Sequence, residues 1–220
     1  KLEDLKNTKV EKQPLLPTEN NVLKTFSIEN EPVVELVNNR EREYIFADLP
    51  DIGYSTDIDT VMASSYQVKK QLQQIVKIEQ PITNTLLYKR ILRIWNLTRV
   101  TTRLQVFIDN LLEDAYKDPL SGDTIIYWED EEKAKDCDFY RINSKRDILD
   151  IPILEVMSAA RYAIEQQISM PTEDLKRLTS QLLGFSRKGT NLDMVTEQTI
   201  QLLIDQGIFS HANGMVSMNN

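Results

Sequence analysis

The sequence predicts a mainly α-helical protein with small β-hairpins, built as two helical units in tandem behind an extended tether. Three observations carry this expectation. Beyond residue 60, apolar side chains recur at three- and four-residue spacing, as on the buried face of a helix. Each half then ends in short apolar runs flanked by turn residues, the pattern of paired strands. One short motif is also written twice, as "NLTRVTTRL" at 96–104 and "GFSRKGTNL" at 184–192. The expected boundaries are 1–59 for the tether, 60–150 for the first unit and 151–220 for the second.

In chain order, residues 1–32 hold "KQPLLPTENN" and little periodicity, and read as the tether. "VVELVNNREREY" (33–44) reads as a short amphipathic helix. "YIFADLPDIGYSTDIDT" (44–60) reads as a loop broken by Pro50 and Gly53, with Tyr44, Phe46 and Tyr54 available to pin it to a neighbour. Val68, Leu72, Ile75 and Val76 mark one helix, which Pro81 ends. Thr83 or Asn84 can cap the next, whose apolar positions are Leu87, Ile91, Ile94 and Trp95. Leu104, Phe107, Ile108, Leu111, Leu112 and Ala115 mark a third. "PLSGD" (119–123) is a turn, "TIIYW" (124–128) a strand and "DFYRI" (138–142) its expected return, with "EDEEKAKDC" as a charged hairpin loop.

The second half repeats the order. Residues 151–167 read as a helix. Leu175, Leu178 and Leu182 mark the next, and Leu192, Val195, Thr199, Leu202 and Leu203 a third. "GIFSHANGMVSM" (207–218) reads as a hairpin turned at Asn213-Gly214. Each half is therefore helix, helix, helix, hairpin, which is the sequence order of a winged helix.

The doubled motif has a physical reason. Asn96 and Gly184 follow a helix, where the chain often takes a left-handed conformation that Gly adopts freely and Asn tolerably. Leu97 and Phe185 can fold back on the last helical turn. Thr102 and Thr190 are candidate caps of the next helix. The motif reads as helix stop, turn and helix start.

Composition excludes several classes. Apolar content of 41% and charged content of 27% are ordinary for a globular chain. No apolar run approaches the roughly 20 residues of a membrane span. Cys137, the one cysteine, excludes an internal disulfide and suits a reducing cytoplasm. Lys1 opens the chain without Met or a signal pattern, as in a piece of a longer polypeptide. The net charge is −8, yet Lys89, Arg90, Arg93, Arg99 and Arg103 fall between Glu79 and Asp109 with no carboxylate among them.

With both halves laid out, three stretches stand out in order: "EQPITNTLLYKRILRIWNLTRVTTRL", "FYRINSKRDILDIPILEVMSAARYAI" and "EDLKRLTSQLLGFSRKGTNLDMVTEQTIQLLIDQGIF". They are similar to a family pattern E-P-I…L-x-R-R, R…I-P-x-x-E and L-G-F-x-R-x-G, with E-Q-P-I and L-Y-K-R standing here for its first part. Over roughly residues 60–210 the chain resembles a domain of unknown function at the C-terminus of large bacterial superfamily-one helicases. Those proteins often carry a very-short-patch-repair-like nuclease domain just before it. The chain departs from the pattern at Asn96 and Val100, where glycine is common. The resemblance implies helicase and nuclease domains of the same polypeptide as partners, and a setting in bacterial defence. It implies no activity for the domain itself.

Catalysis has little to rest on. Walker, HExxH and GxSxG patterns are missing, and His211, the one histidine, falls in a turn. "EDEE" (129–132) could hold a divalent cation but reads as a solvated loop. Cys137 lies between Asp136 and Asp138, which disfavour its thiolate. No enzyme, cofactor or metal is expected. Binding to DNA or RNA is expected through Lys89, Arg90, Arg93, Arg99 and Arg103 in the first unit and Arg187 and Lys188 in the second, because a recognition helix presents its N-terminal end to nucleic acid. The alternative is that Arg99 and Arg187 brace their turns. The leading expectation is a non-catalytic accessory module that positions nucleic acid for a motor. The other is a protein or interdomain docking module without nucleic-acid contact.

Overall fold

The computed structural model describes residues 38–219 apart from 55, 122–123 and 143–144. The tether over 1–32 and the start of the helix expected at 33–44 lie outside the described residues. Those described form a mixed α/β fold, about 52% helical, with eight α-helices and three small sheets.

Where the sequence predicts helix, the first described element is a strand, β1 (Glu41–Glu43). The chain then runs without helix or strand from Tyr44 to Tyr54 as a strap. Ala47 is buried in the core, and Leu49 and Ile52 pack against it. The Ile52 N–H donates to the Ile94 carbonyl at 3.0 Å, and the Thr56 hydroxyl donates to the Trp95 carbonyl. Asp57 caps α1 (Ile58–Ala63) by accepting from the Thr60 N–H at 2.8 Å.

Next come α2 (Ser65–Glu79), the two-residue β2 (Ile82–Thr83), α3 (Asn84–Ile94) and α4 (Thr102–Leu111). The predicted apolar faces of all three helices are turned inward. Thr83 caps α3, accepting from the Leu86 N–H at 3.3 Å. The cap of α4 is Thr101, one residue earlier than expected. β3 (Tyr116–Lys117) and β4 (Ile126–Trp128) follow, and the sheet order is β2-β4-β3, all antiparallel.

The expected hairpin between 124–128 and 138–142 is not formed. The charged stretch between them folds as α5 (Glu131–Lys135), capped by Asp130 and held by Lys133–Glu129 and Lys135–Glu131 pairs one turn apart. Both edges of β4 are already paired, with β2 and β3, which leaves no edge for 138–142. Instead β5 (Tyr140–Ile142) runs parallel to β1, with Glu41 opposite Tyr140 and Glu43 opposite Ile142.

The second half contains α6 (Ile153–Glu165), β6 (Met170–Pro171), α7 (Thr172–Leu182), α8 (Thr190–Asp205), β7 (Phe209–Ala212) and β8 (Met215–Met218). Gly189 rather than Thr190 precedes α8 as its cap residue. Asn213 and Gly214 turn the hairpin with φ of 54° and 76°, the left-handed pair that a two-residue hairpin loop requires. The sheet order is β6-β8-β7. In both halves a two-residue strand, β2 between α2 and α3 and β6 between α6 and α7, pairs with the last strand of the hairpin.

One apolar cluster fills α1 to α4 together with Tyr127. Another fills α6 to α8 with Met170, Phe209 and Val216. Tyr140, Ile148 and Ile151 form a third between them, against Val156, Leu183 and Leu192.

Buried ions also join the halves. The fully buried Glu79 carboxylate accepts from Arg90 Nη2 at 2.7 Å, from the Ala47 N–H at 3.0 Å and from the Tyr44 hydroxyl. Arg141 donates to the carbonyls of Glu79 (2.8 Å), Gln80 (3.1 Å) and Pro81 (2.6 Å), closing the C-terminal end of α2 with a cation. Arg141 and Arg146 both meet the Glu155 carboxylate at the start of α6. The Tyr44 ring lies 4.2 Å from the Arg146 guanidinium and 4.9 Å from that of Arg141. Glu79, Arg90, Arg141, Arg146 and Glu155, charged residues of the first two quoted stretches, are thus all buried.

Candidate nucleic-acid interface

The doubled motif forms the same turn twice. Asn96 has φ 48° and Gly184 φ 88°. After α3, Asn96 N–H donates to Arg93 O (3.2 Å) and Leu97 N–H to Leu92 O (2.9 Å). After α7, Gly184 N–H donates to Gln181 O (2.9 Å) and Phe185 N–H to Ser180 O (3.0 Å). These are the paired bonds of a Schellman stop, which satisfies carbonyls that a helix end would otherwise leave open. Arg99, Arg187 and Lys188 in the turns that follow are exposed.

Of the seven predicted contacts, Arg90 is buried and the others are exposed. The expectation for Arg90 is corrected: it is only 5% exposed, bonds Glu79 and the Ala47 carbonyl, and lies beneath the Phe46 ring at 3.3 Å. A guanidinium so enclosed cannot reach a phosphate. Its neighbour Arg93 is exposed, 5.7 Å from the outer Phe46 ring. Lys89 bonds both oxygens of Asp150 at 2.7 Å, and Arg103 meets Asp59 at 2.8 Å, with each cation still 57% exposed. Arg99 pairs with none of the described residues, nor do Arg187 and Lys188 before α8, so the bracing alternative finds no described carboxylate there. Arg93, Arg99 and Arg103 follow the course of α3, turn and α4; Arg187 and Lys188 hold the corresponding turn of the second half.

The helices after the two turns carry different surfaces. On α4 the only acidic residue, Asp109, accepts from the Tyr88 hydroxyl at 2.8 and 2.9 Å and from the Tyr127 hydroxyl at 3.1 Å. Burial, the Asp109 charge and these bonds push both tyrosines above their ordinary range. The outer residues are Thr102, Arg103, Val106 and Asn110, of which the charge pattern singles out Arg103 alone. The others are legible only as the positions left over when Leu104 and Ile108 face inward.

On α8 the outer residues include Asp193, Glu197 and Asp205. Lys176 from α7 joins Asp193 (2.7 Å), Glu197 (2.9 Å) and Glu173 (3.2 Å) with its side chain 9% exposed. Burial disfavours its charge, but bonds to these carboxylates outweigh that and raise its pKa.

His211 lies exposed on β7, and burial pushes the Cys137 thiol up to about 12. Among the described residues no group of three or more His, Cys, Asp or Glu could hold a metal ion, and no helix is long and apolar enough to cross a membrane.

No curated protein and no solved structure matches the chain. Residues 63–106, from the end of α1 into α4, match the model of a family described as a protein of unknown function (DUF3320), so the stretch holding Glu79, Arg90 and the first turn is similar to a domain family of unassigned function.

Proposed function

We propose that this chain is a non-catalytic accessory module made of two tandem winged-helix units, 60–150 and 151–220, which positions DNA or RNA for a helicase–nuclease of the same cytoplasmic, bacterial polypeptide. The observation that carries the reading is the repeated topology. In each half a two-residue strand between two helices, β2 between α2 and α3 and β6 between α6 and α7, pairs with the far strand of the hairpin, and the same left-handed stop precedes the next helix, α4 or α8. In such units the third helix and its preceding turn face nucleic acid. Arg93, Arg99, Arg103, Arg187 and Lys188 are exposed there. The helicase association rests on the resemblance of the motifs alone.

A second reading, a protein or interdomain docking module, is favoured by the ion pairs that engage Lys89 and Arg103 and by the acidic outer face of α8. The two separate in a salt-titrated binding assay on single-stranded, duplex and forked DNA and on RNA. Weak binding is expected, because a net charge of −8 opposes approach. Arg93→Glu, Arg99→Glu and Arg103→Glu together should remove most of it and reduce the salt slope by about 2.7, at about 0.9 per phosphate. A triple variant that stays folded by circular dichroism and binds every substrate like the parent would transfer the assignment to docking.

A further inference from the structure

The outward surfaces of α4 and α8 differ. Arg103, Val106 and Asn110 follow one another at three and four residues along α4, so they form one ridge. All three are exposed, Val106 at 54% although it is apolar. Together with Thr102, Met62 and Phe107 they line a shallow depression. No carboxylate of α4 shares the ridge, because Asp109 is withdrawn to the Tyr88 and Tyr127 hydroxyls. The ridge therefore presents a guanidinium, an apolar branch and a carboxamide in series.

We propose that α4 reads base edges in the major groove of duplex DNA, with Arg103 toward guanine, Val106 toward a thymine methyl group and Asn110 toward adenine, while α8 makes no base contact. Each pairing follows from the groups offered: a guanidinium donates twice to guanine O6 and N7, a carboxamide both donates to and accepts from adenine, and an apolar branch covers a methyl group. From residue 103 to 110 the helix rises roughly 10 Å, the height of about three base pairs. The B-form major groove admits a helix, whereas the deep, narrow A-form groove of RNA does not, so the ligand class is DNA. Arg93 and Arg99 lie on the α3 side of the ridge, placed for phosphate rather than bases. Asp59 holds Arg103 in the free protein, and since both side chains are more than half exposed, guanine can replace it at small cost. On α8 the exposed Asp193, Glu197 and Asp205 would face the same groove and repel the flanking phosphates.

The inference rests on the reading that the first unit contacts nucleic acid, and one experiment separates the two. The whole chain is used to select from a random-sequence duplex library. Binding is then measured to the selected duplex, a scrambled duplex, the selected single strand and the same sequence as duplex RNA. A short enriched element is expected. Asn110→Ala should weaken binding to the selected duplex about tenfold and leave the scrambled duplex unchanged. Val106→Ala should relax preference at one thymine. Arg93→Glu with Arg99→Glu should weaken both duplexes alike. Both ridge positions are exposed, so these variants retain the fold, which circular dichroism verifies. Binding without enrichment, Asn110→Ala and Val106→Ala without effect, or preference for single strands or RNA would overturn base reading and leave the accessory-module reading standing. Failure to bind any nucleic acid would overturn both.

Discussion

Arg141 on β5 and Glu155 on α6 lie 2.5 Å apart in the interior, and Arg146 meets the same carboxylate at 2.8 Å. A buried ion pair adds little net stability over a well-packed apolar substitute, but removing one partner strands the others. Glu155→Ala leaves two enclosed guanidinium groups facing each other. It should cost about 3–5 kcal/mol in urea unfolding, several times the cost of an exposed change such as Lys135→Ala.

Acid should find the same site. Burial alone would raise the Glu155 pKa, but the charges and hydrogen bonds of Arg141 and Arg146 overcome it and hold the group at about 2, against an ordinary value of 4.5. The folded pKa lies below the unfolded one, so this contribution is complete above pH 4.5 and is lost as pH falls toward 2. Thermal melts across that window should show a steep decline for the parent and a flatter one for Glu155→Gln, from a lower start. Equal slopes would place the acid sensitivity elsewhere.

Arg90 and Arg93, three residues apart, should differ sharply in their tolerance of mutation. Arg90→Ala leaves the buried Glu79 without its cation and should destabilise by about 3–5 kcal/mol. Arg93→Ala removes an exposed group and should fall within about 0.5 kcal/mol of the parent. Chemical denaturation of both variants checks this.

The turn after α7 should not tolerate a branched side chain. A Cβ at Gly184 would meet nothing within 4 Å, so the penalty is purely conformational, set by φ 88°. Gly184→Val should cost more than about 1 kcal/mol. Asn96→Gly, at φ 48°, should be nearly neutral or slightly stabilising. A Gly184→Val variant as stable as the parent would remove the basis for aligning the two turns.

Cys137 should behave as an inert thiol. With its pKa pushed up to about 12 by burial and by the Glu155 charge, almost no thiolate exists at neutral pH. Iodoacetamide should label the folded chain far more slowly than the chain in denaturant. Rapid labelling of the folded chain would contradict the described packing.

Local rules made much of the fold legible. Val68, Leu72 and Ile75 spell α2, Thr83 announces α3, and Asn213-Gly214 turns the last hairpin, because each signal acts within a few residues. The strands were harder. β2 and β6 have two residues each, too short for any periodicity, and exist through pairing with strands far along the chain. Tyr140–Ile142 has the composition of a strand, but composition does not name its partner, and the near candidate, β4, is the wrong one. Charge misled in a similar way. Arg90 reads as part of a basic surface until Glu79, eleven residues earlier in a different helix, is seen to enclose it. Conversely, Val106 and Asn110 carry no charge to mark them, and their exposure emerges only once the inward faces of α4 are known.

The pairing of β1 with β5 also bears on how the protein is made. Tyr140 follows Glu41 by 99 residues. At about 5–20 residues per second of synthesis, β1 waits about 5–20 s for its partner. For that interval neither the C-terminal end of α2 nor the strap beside α3 has its partner from β5. Until residues 140–155 are synthesised, the C-terminal end of α2 lacks Arg141, and Arg141 in turn lacks the Glu155 carboxylate of α6.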